Sequence, residues 1–152
     1  MRLKDCHSFV DFRELARRRL PSPIFNYIDG AADDESTYDR NTKSFEDCDL
    51  VANVLRGVEN IDMSVEILGQ KLDMPIYCSP TALQRVFHHE GENAVAAAAD
   101  KYGTLFGVSS LGTVSLSEVR KQYSGPQCYQ FYFHKDRELN QVMLENAKNA
   151  NV

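Results

Sequence analysis

The sequence predicts an α/β protein in which parallel strands alternate with covering helices, and three stretches carry that prediction. Residues 75–79, 105–109 and 128–133 are short apolar and aromatic runs, each followed by polar turn residues and then by helical spacing. Strand and helix alternating in this way imply parallel βα units joined by right-handed crossovers. Such units bring polar strand ends to one rim, where α/β proteins place ligands.

Composition sets the limits. A chain of 152 residues, 43% hydrophobic and 26% charged, can bury one ordinary core. Its net charge of -5 and pI near 5.3 argue against a dedicated nucleic-acid binder, because nothing concentrates enough positive charge to neutralise several phosphates. Arg17-Arg18-Arg19, the one basic run, reads as a solvated helix face. No apolar run approaches the roughly 20 residues that span a bilayer, and no signal-peptide core follows Met1, so the expected location is cytoplasmic. Cys6, Cys48, Cys78 and Cys128 form no C-x-x-C pair and are expected to be reduced, packed thiols.

In chain order, Ser8 and Asp11 have capping-box spacing, and Phe12, Leu15, Ala16 and Leu20 follow on one helical face until Pro21. Ser22-Pro23 restarts the chain as cap and first-turn proline for a helix through Ile28, stopped at Gly30. Residues 31–47 predict a third helix opened by Asp33, Asp34 and Glu35. Residues 50–55 and 65–68 then read as extended pieces of a small β element, with Gly57 and Gly69-Gln70 as turn signals.

The strand at 75–79 pairs with an alanine-rich helix at 92–102, closed by Gly103. The strand at 105–109 precedes a helix at 115–123, opened by a second capping box from Ser115 and Glu118. The strand at 128–133 precedes a helix at 136–149, capped by Asp136. The expected organisation is residues 1–72 as helices and small β element, then residues 73–152 as three βα units, without a linker. Three units leave an open sheet edge, so the expectation is a truncated chain.

Ser79, Pro80 and Thr81, then Ser109 and Ser110, then Gln130 and Tyr132 could converge on the rim. Gln130 and Tyr132 alternate with Phe131 and Phe133, polar to one strand face and aromatic to the other. The residues alone leave open whether these polar groups meet a ligand or only satisfy loop backbone.

Four segments, FNYIDGAAD at 25–33, DMPIYCSPTALQRVFHHEGE at 73–92, GVSSLGTVSLSE at 107–118 and YQFYFHKDR at 129–137, resemble motifs of the FMN-dependent α-hydroxy-acid dehydrogenases and oxidases, in order and spacing. The resemblance implies a TIM (β/α)8 barrel, of which this chain supplies the N-terminal extension and about the first three of eight strand-helix units. It implies FMN as cofactor, held along Pro80, Thr81 and Ala82, with Ser109 and Gln130 at the flavin carbonyl edge. Donors there stabilise the negative charge that builds on reduction. Tyr27 matches the tyrosine that holds the substrate carboxylate, and Tyr132 the catalytic tyrosine near the substrate hydroxyl. Leu111 matches a position lining the substrate side chain, where an aliphatic residue points to lactate.

The implied activity is oxidation of an L-2-hydroxy acid, L-lactate, to the 2-keto acid by the full-length parent. The alternative is a non-catalytic flavin-binding or assembly module derived from that family; a different TIM-barrel flavoprotein is a third possibility. The family's histidine-arginine pair, flavin-facing lysine and phosphate-binding late loops have no counterpart here, so the chain alone is expected to lack activity. His134 is not the base on the family's pattern. His88-His89-Glu90 is not expected to bind a metal, since adjacent histidines on a regular element point apart. By family analogy the expected assembly is a homotetramer, with some members attached peripherally to a membrane and the electron acceptor left undetermined.

Overall fold

The computed structural model describes residues 2–152, which form two compact units, one ending at Glu59 and the other beginning at Asn60. The first unit is helical. Helix α1, Phe9–Arg19, opens on the predicted capping box: Asp11 N donates to Ser8 Oγ at 3.3 Å, and Ser8 N to Asp11 Oδ2 at 2.9 Å. Leu20 leaves the helix with ψ 145°, as the residue before a proline prefers. Helix α2, Ser22–Asp29, takes Pro21 rather than Ser22 as its cap, the Pro21 carbonyl accepting from Ile24 N and Phe25 N. Arg13 on α1 grips Asp29 on α2 through two hydrogen bonds of 2.5 and 2.9 Å and lies 5.9 Å from the Tyr38 ring. The Arg13 bond holds the Asp29 carboxyl below the usual carboxylate range.

Helix α3 is confined to Ser36–Lys43, shorter than the predicted 31–47. Asp33 and Glu35 adopt left-handed φ of 50° and 58°, and the Glu35 carboxylate accepts from Ala31 N at 3.0 Å. The acids therefore build a turn ahead of the helix. The strand expected at 50–55 does not form. Leu50 and Leu55 are 99% and 102% exposed, Leu55 at φ 58°, and no described segment offers the ladder an extended piece needs.

In the second unit, strands β1, Val65–Ile67, and β2, Gln70–Leu72, pair antiparallel. Leu68 and Gly69 both take positive φ, as a tight two-residue hairpin turn demands. Gln70 then clasps Gln127: Gln127 N donates to Gln70 Oε1 at 3.1 Å, and Gln70 Nε2 to the Gln127 carbonyl at 3.0 Å.

Strands β3, Phe106–Ser109, and β4, Gln127–Gln130, run parallel with Phe106 opposite Gln127 and Ser109 opposite Gln130. The predicted strand at 75–79 narrows to one parallel bridge, Cys78 to Phe106. Cys78 N donates to Leu105 O and Gly107 N to Cys78 O, while Pro75 has no N–H to contribute. Strand β4 ends at Gln130, short of the predicted Phe133. The last ladder bond is Ser110 N to Gln130 O, after which Gly112 N bonds Ser109 O and turns the partner away. Tyr132 thus lies beyond the strand. Aromatic alternation persists nonetheless, with Tyr129, Phe131 and Phe133 rings 6.2 and 5.2 Å apart in succession.

Helices α4, Glu92–Lys101, and α5, Leu116–Gln122, cover one face of β3. Ala96 and Ala99 of α4 and Val119 of α5 pack with Phe106, Val108 and Val114 in a buried cluster. Alternation turns Gly107 and Ser109 to the opposite face. Helix α6, Arg137–Asn149, is capped by Asp136, whose Oδ1 accepts from Glu138 N and Leu139 N. Among the described residues no helix is long and apolar enough to cross a membrane.

Candidate cofactor-facing wall

The polar ends of β3 and β4 meet through side chains. Ser109 Oγ donates to Gln130 Oε1 at 3.1 Å and accepts from Leu111 N at 3.2 Å. Both hydroxyl functions are thereby used, and the Gln130 Nε2 amide is a donor that this bond leaves unused. Ser109 is 6% exposed and Gln130 half-buried.

The turn after Cys78 lies against the same face of β3. A Cβ placed on Gly107 would come within 2.7 Å of Pro80 Cδ and 2.9 Å of Pro80 N. Only hydrogen at that position lets the Pro80 ring approach the strand. Thr81 and Ala82 follow half-buried, with the Thr81 carbonyl accepting from Gln84 Nε2 at 3.2 Å. Leu83 N then donates to Leu111 O at 3.1 Å, joining the turn to the loop after β3.

Pro80, Ser109, Leu111 and Gln130 are therefore linked in one wall by bonds or close approach. Tyr132, past the end of β4, is 54% exposed and makes no bond to these residues. Tyr27 lies on α2 in the first unit and is 63% exposed. The Ser110 hydroxyl, beside Ser109, is buried with no hydrogen-bond partner among the described residues. A groove of about 650 Å³ opens elsewhere, between β4 and α6, lined by Cys128, Tyr129, Phe131 and Leu144 among others. It includes neither Ser109 nor Gln130.

Two residues absent from the sequence-based site hold the wall in place. Gly107 is one; a glycine inside an apolar strand signals close backbone approach, and that was the available clue. The other is Glu92, whose side chain is fully buried at the first position of α4. Its carboxylate accepts from Thr113 N at 2.8 Å, Thr113 Oγ1 at 2.7 Å and Val114 N at 3.1 Å. Burial pushes this carboxyl up, but the Thr113 hydroxyl and amide bonds outweigh burial and hold it below the ordinary glutamate range. A depressed folded value means that ionised Glu92 stabilises the fold above its unfolded pKa of about 4.3. That contribution is lost as pH falls through the folded value. Urea unfolding should therefore show stability declining as pH falls below about 4.3 in the wild type and declining less in Glu92→Gln. Equal slopes for both proteins would contradict this.

His88, His89 and Glu90 occupy a turn rather than a regular element, and each places one ligand-type atom within 4.8 Å of the others. All three are exposed, and His88 Nδ1 already accepts from Glu90 N at 3.3 Å.

Residues 16–152 match the family described as FMN-dependent dehydrogenase. An L-lactate dehydrogenase of Xanthobacter autotrophicus is 39% identical over 145 residues, covering 95% of this chain and 37% of that protein. A glycolate oxidase of Spinacia oleracea is 36% identical over 140 residues, covering 92% of this chain and 38% of that protein. Among solved structures, a lactate oxidase of Pediococcus acidilactici superposes with a TM-score of 0.89 at 31% identity, over 97% of this chain and 42% of that one. A mandelate oxidase mutant with a C4a-OH-FMN adduct gives a TM-score of 0.85 at 29% identity, over 92% and 42%. The chain spans about two fifths of the length of the relatives it matches.

Proposed function

This chain belongs to the FMN-dependent dehydrogenase family, whose cofactor is FMN, and from that premise we propose that it supplies the flavin-facing wall of an enzyme oxidising an L-2-hydroxy acid to the 2-keto acid. The fold of that enzyme is a (β/α)8 barrel, of which β3, β4 and the bridge at Cys78 are the first three strand positions. The single observation that carries the reading is the Ser109–Gln130 pair, in register at the ends of adjacent parallel strands.

The donor set fits a flavin. Gln130 Nε2 is the donor toward the pyrimidine edge, where negative charge develops on reduction. Ser109 acts through Gln130, engaging its amide oxygen and leaving Nε2 as the donor. Pro80, Thr81 and Ala82 would hold one side of the flavin, on a turn whose close approach to β3 Gly107 permits. FMN, when bound, supplies acceptance of the two electrons leaving the substrate α-carbon.

By the family's motif positions Tyr27 is assigned the substrate carboxylate and Tyr132 the substrate hydroxyl, each through a phenol O–H donor. Leu111 lines the side-chain pocket, and its aliphatic shape favours the methyl of L-lactate over a larger group. None of His88, His89 or His134 is assigned the proton-accepting role. The substrate is a small soluble acid, the location cytoplasmic and the assembly a homo-oligomer.

The test uses the 152-residue chain. Mixed anaerobically with FMN and L-lactate, it should bind the flavin and leave its oxidised absorbance unbleached. Bleaching at the rate of an active dehydrogenase would place the proton acceptor within these residues and overturn the assignment.

A further inference from the structure

We propose that Glu92 is a positioning residue for the FMN site, setting the Pro80–Ala82 turn and Leu111 through the loop it grips rather than by touching the cofactor. The inference rests on the flavin reading given above.

Three donors from one loop meet this carboxylate. The loop after β3 gives it Thr113 N, Thr113 Oγ1 and Val114 N. The Thr113 hydroxyl, so oriented, accepts from Arg85 N at 3.1 Å in the short turn that follows Ala82. One step earlier, Leu83 N bonds Leu111 O. Charge therefore fixes Thr113, Thr113 fixes Arg85, and the Leu83–Leu111 bond closes the circuit on both sides of the wall.

Local geometry is built to deliver that carboxylate. Gly91 adopts φ 54° and ψ -134°, a conformation other residues rarely take, and any Cβ there would lie 2.7 Å from Arg85 Cγ and 3.3 Å from Thr113 Oγ1. Glu92 thus enters α4 directly beneath the loop, at the helix end whose dipole favours an anion. A Cβ on Gly112 would press within 3.3 Å of Glu92 Oε1. A buried anion with three donors exceeds what packing alone at a helix start requires, since an apolar residue would fill the space at lower desolvation cost. What the anion adds is a fixed loop conformation.

The experiment measures amide hydrogen exchange and FMN affinity together on the 152-residue chain. Glu92→Gln, which presents an NH2 to N–H donors, should speed exchange at Leu83, Arg85 and Leu111 at least tenfold and leave Cys78 and Phe106 in the sheet unchanged. It should also raise the Kd for FMN about tenfold or more. Thr113→Val, which removes only the hydroxyl, should give the same local pattern at smaller amplitude and carries the test if Glu92→Gln does not fold. Val119→Ala, a core truncation on α5, should lower stability without altering FMN affinity. Uniformly faster exchange across the sheet, or an FMN affinity lowered equally by Val119→Ala, would overturn the positioning role and leave only a structural one. Unchanged FMN affinity in Glu92→Gln overturns it as well. A wild-type chain that binds no FMN would overturn the flavin reading itself, and the inference with it.

Discussion

Phe106→Ala is expected to cost the second unit about 3–5 kcal/mol, the range for truncating a buried phenylalanine. Phe106 is 1% exposed and lies between α4 and α5 among Ala96, Ala99, Val108, Val114 and Val119. The alanines around it are too small to collapse into the space, so a cavity remains. It also begins the β3–β4 ladder and forms the bridge to Cys78, so disorder there reaches all three parallel segments. Against a total stability of about 5–15 kcal/mol, the loss removes much of the margin. Urea unfolding reads it as a lowered midpoint at unchanged slope. Phe133→Ala, at an 84% exposed position, serves as the comparison and should shift stability by no more than about 0.5 kcal/mol. A Phe106→Ala cost below about 1 kcal/mol would mean that this core is not packed as described.

Gly107→Ala is the second large effect, and it separates site from scaffold. The new methyl would meet Pro80 Cδ at 2.7 Å, Pro80 N at 2.9 Å and Cys78 O at 3.3 Å. Rigid ring and backbone atoms cannot move aside as a flexible side-chain end can. Strand β3 is held by ladder bonds on both sides, including Gly107 N to Cys78 O at 2.8 Å, whereas the Pro80 turn is a loop. The turn therefore yields. Overpacking of this kind costs about 1–3 kcal/mol, and displacement of Pro80, Thr81 and Ala82 should weaken FMN binding by more than the stability loss alone explains. Fluorescence titration with FMN checks this, and an unaltered Kd would show that the Pro80 turn does not face the cofactor.

Local signals in the sequence translated well. The Ser8–Asp11 and Ser115–Glu118 capping boxes both form, as does the Asp136 cap, because each is settled within one helical turn. The alanine-rich α4 and the parallel pairing of β3 with β4 follow from propensity and alternation. What failed depended on neighbours. The extended reading of 50–55 needed a ladder partner, and the run 75–79 became a bridge because only one side is paired. Asp33 and Glu35 have helix-start chemistry, yet their left-handed backbone makes them turn residues.

The site shows the same division. Ser109 and Gln130 were placed at the ends of parallel strands, and they meet. Tyr132 was placed by strand period carried past the point where the partner strand turns away, so it left the ladder. Glu92 was legible only as a helix start. Its bonds reach Thr113 and Val114, more than twenty residues distant in sequence, and no local pattern announces a contact of that separation.

The central claim, that the ends of β3 and β4 face FMN with Gln130 as donor, is tested most directly by the midpoint potential of FMN bound to wild type and to Gln130→Leu. A donor that stabilises the reduced flavin should, when removed, lower the potential and weaken FMN binding about tenfold or more, an effect of about 1.4 kcal/mol. Gln130→Leu with the potential and affinity of the wild type would contradict the account.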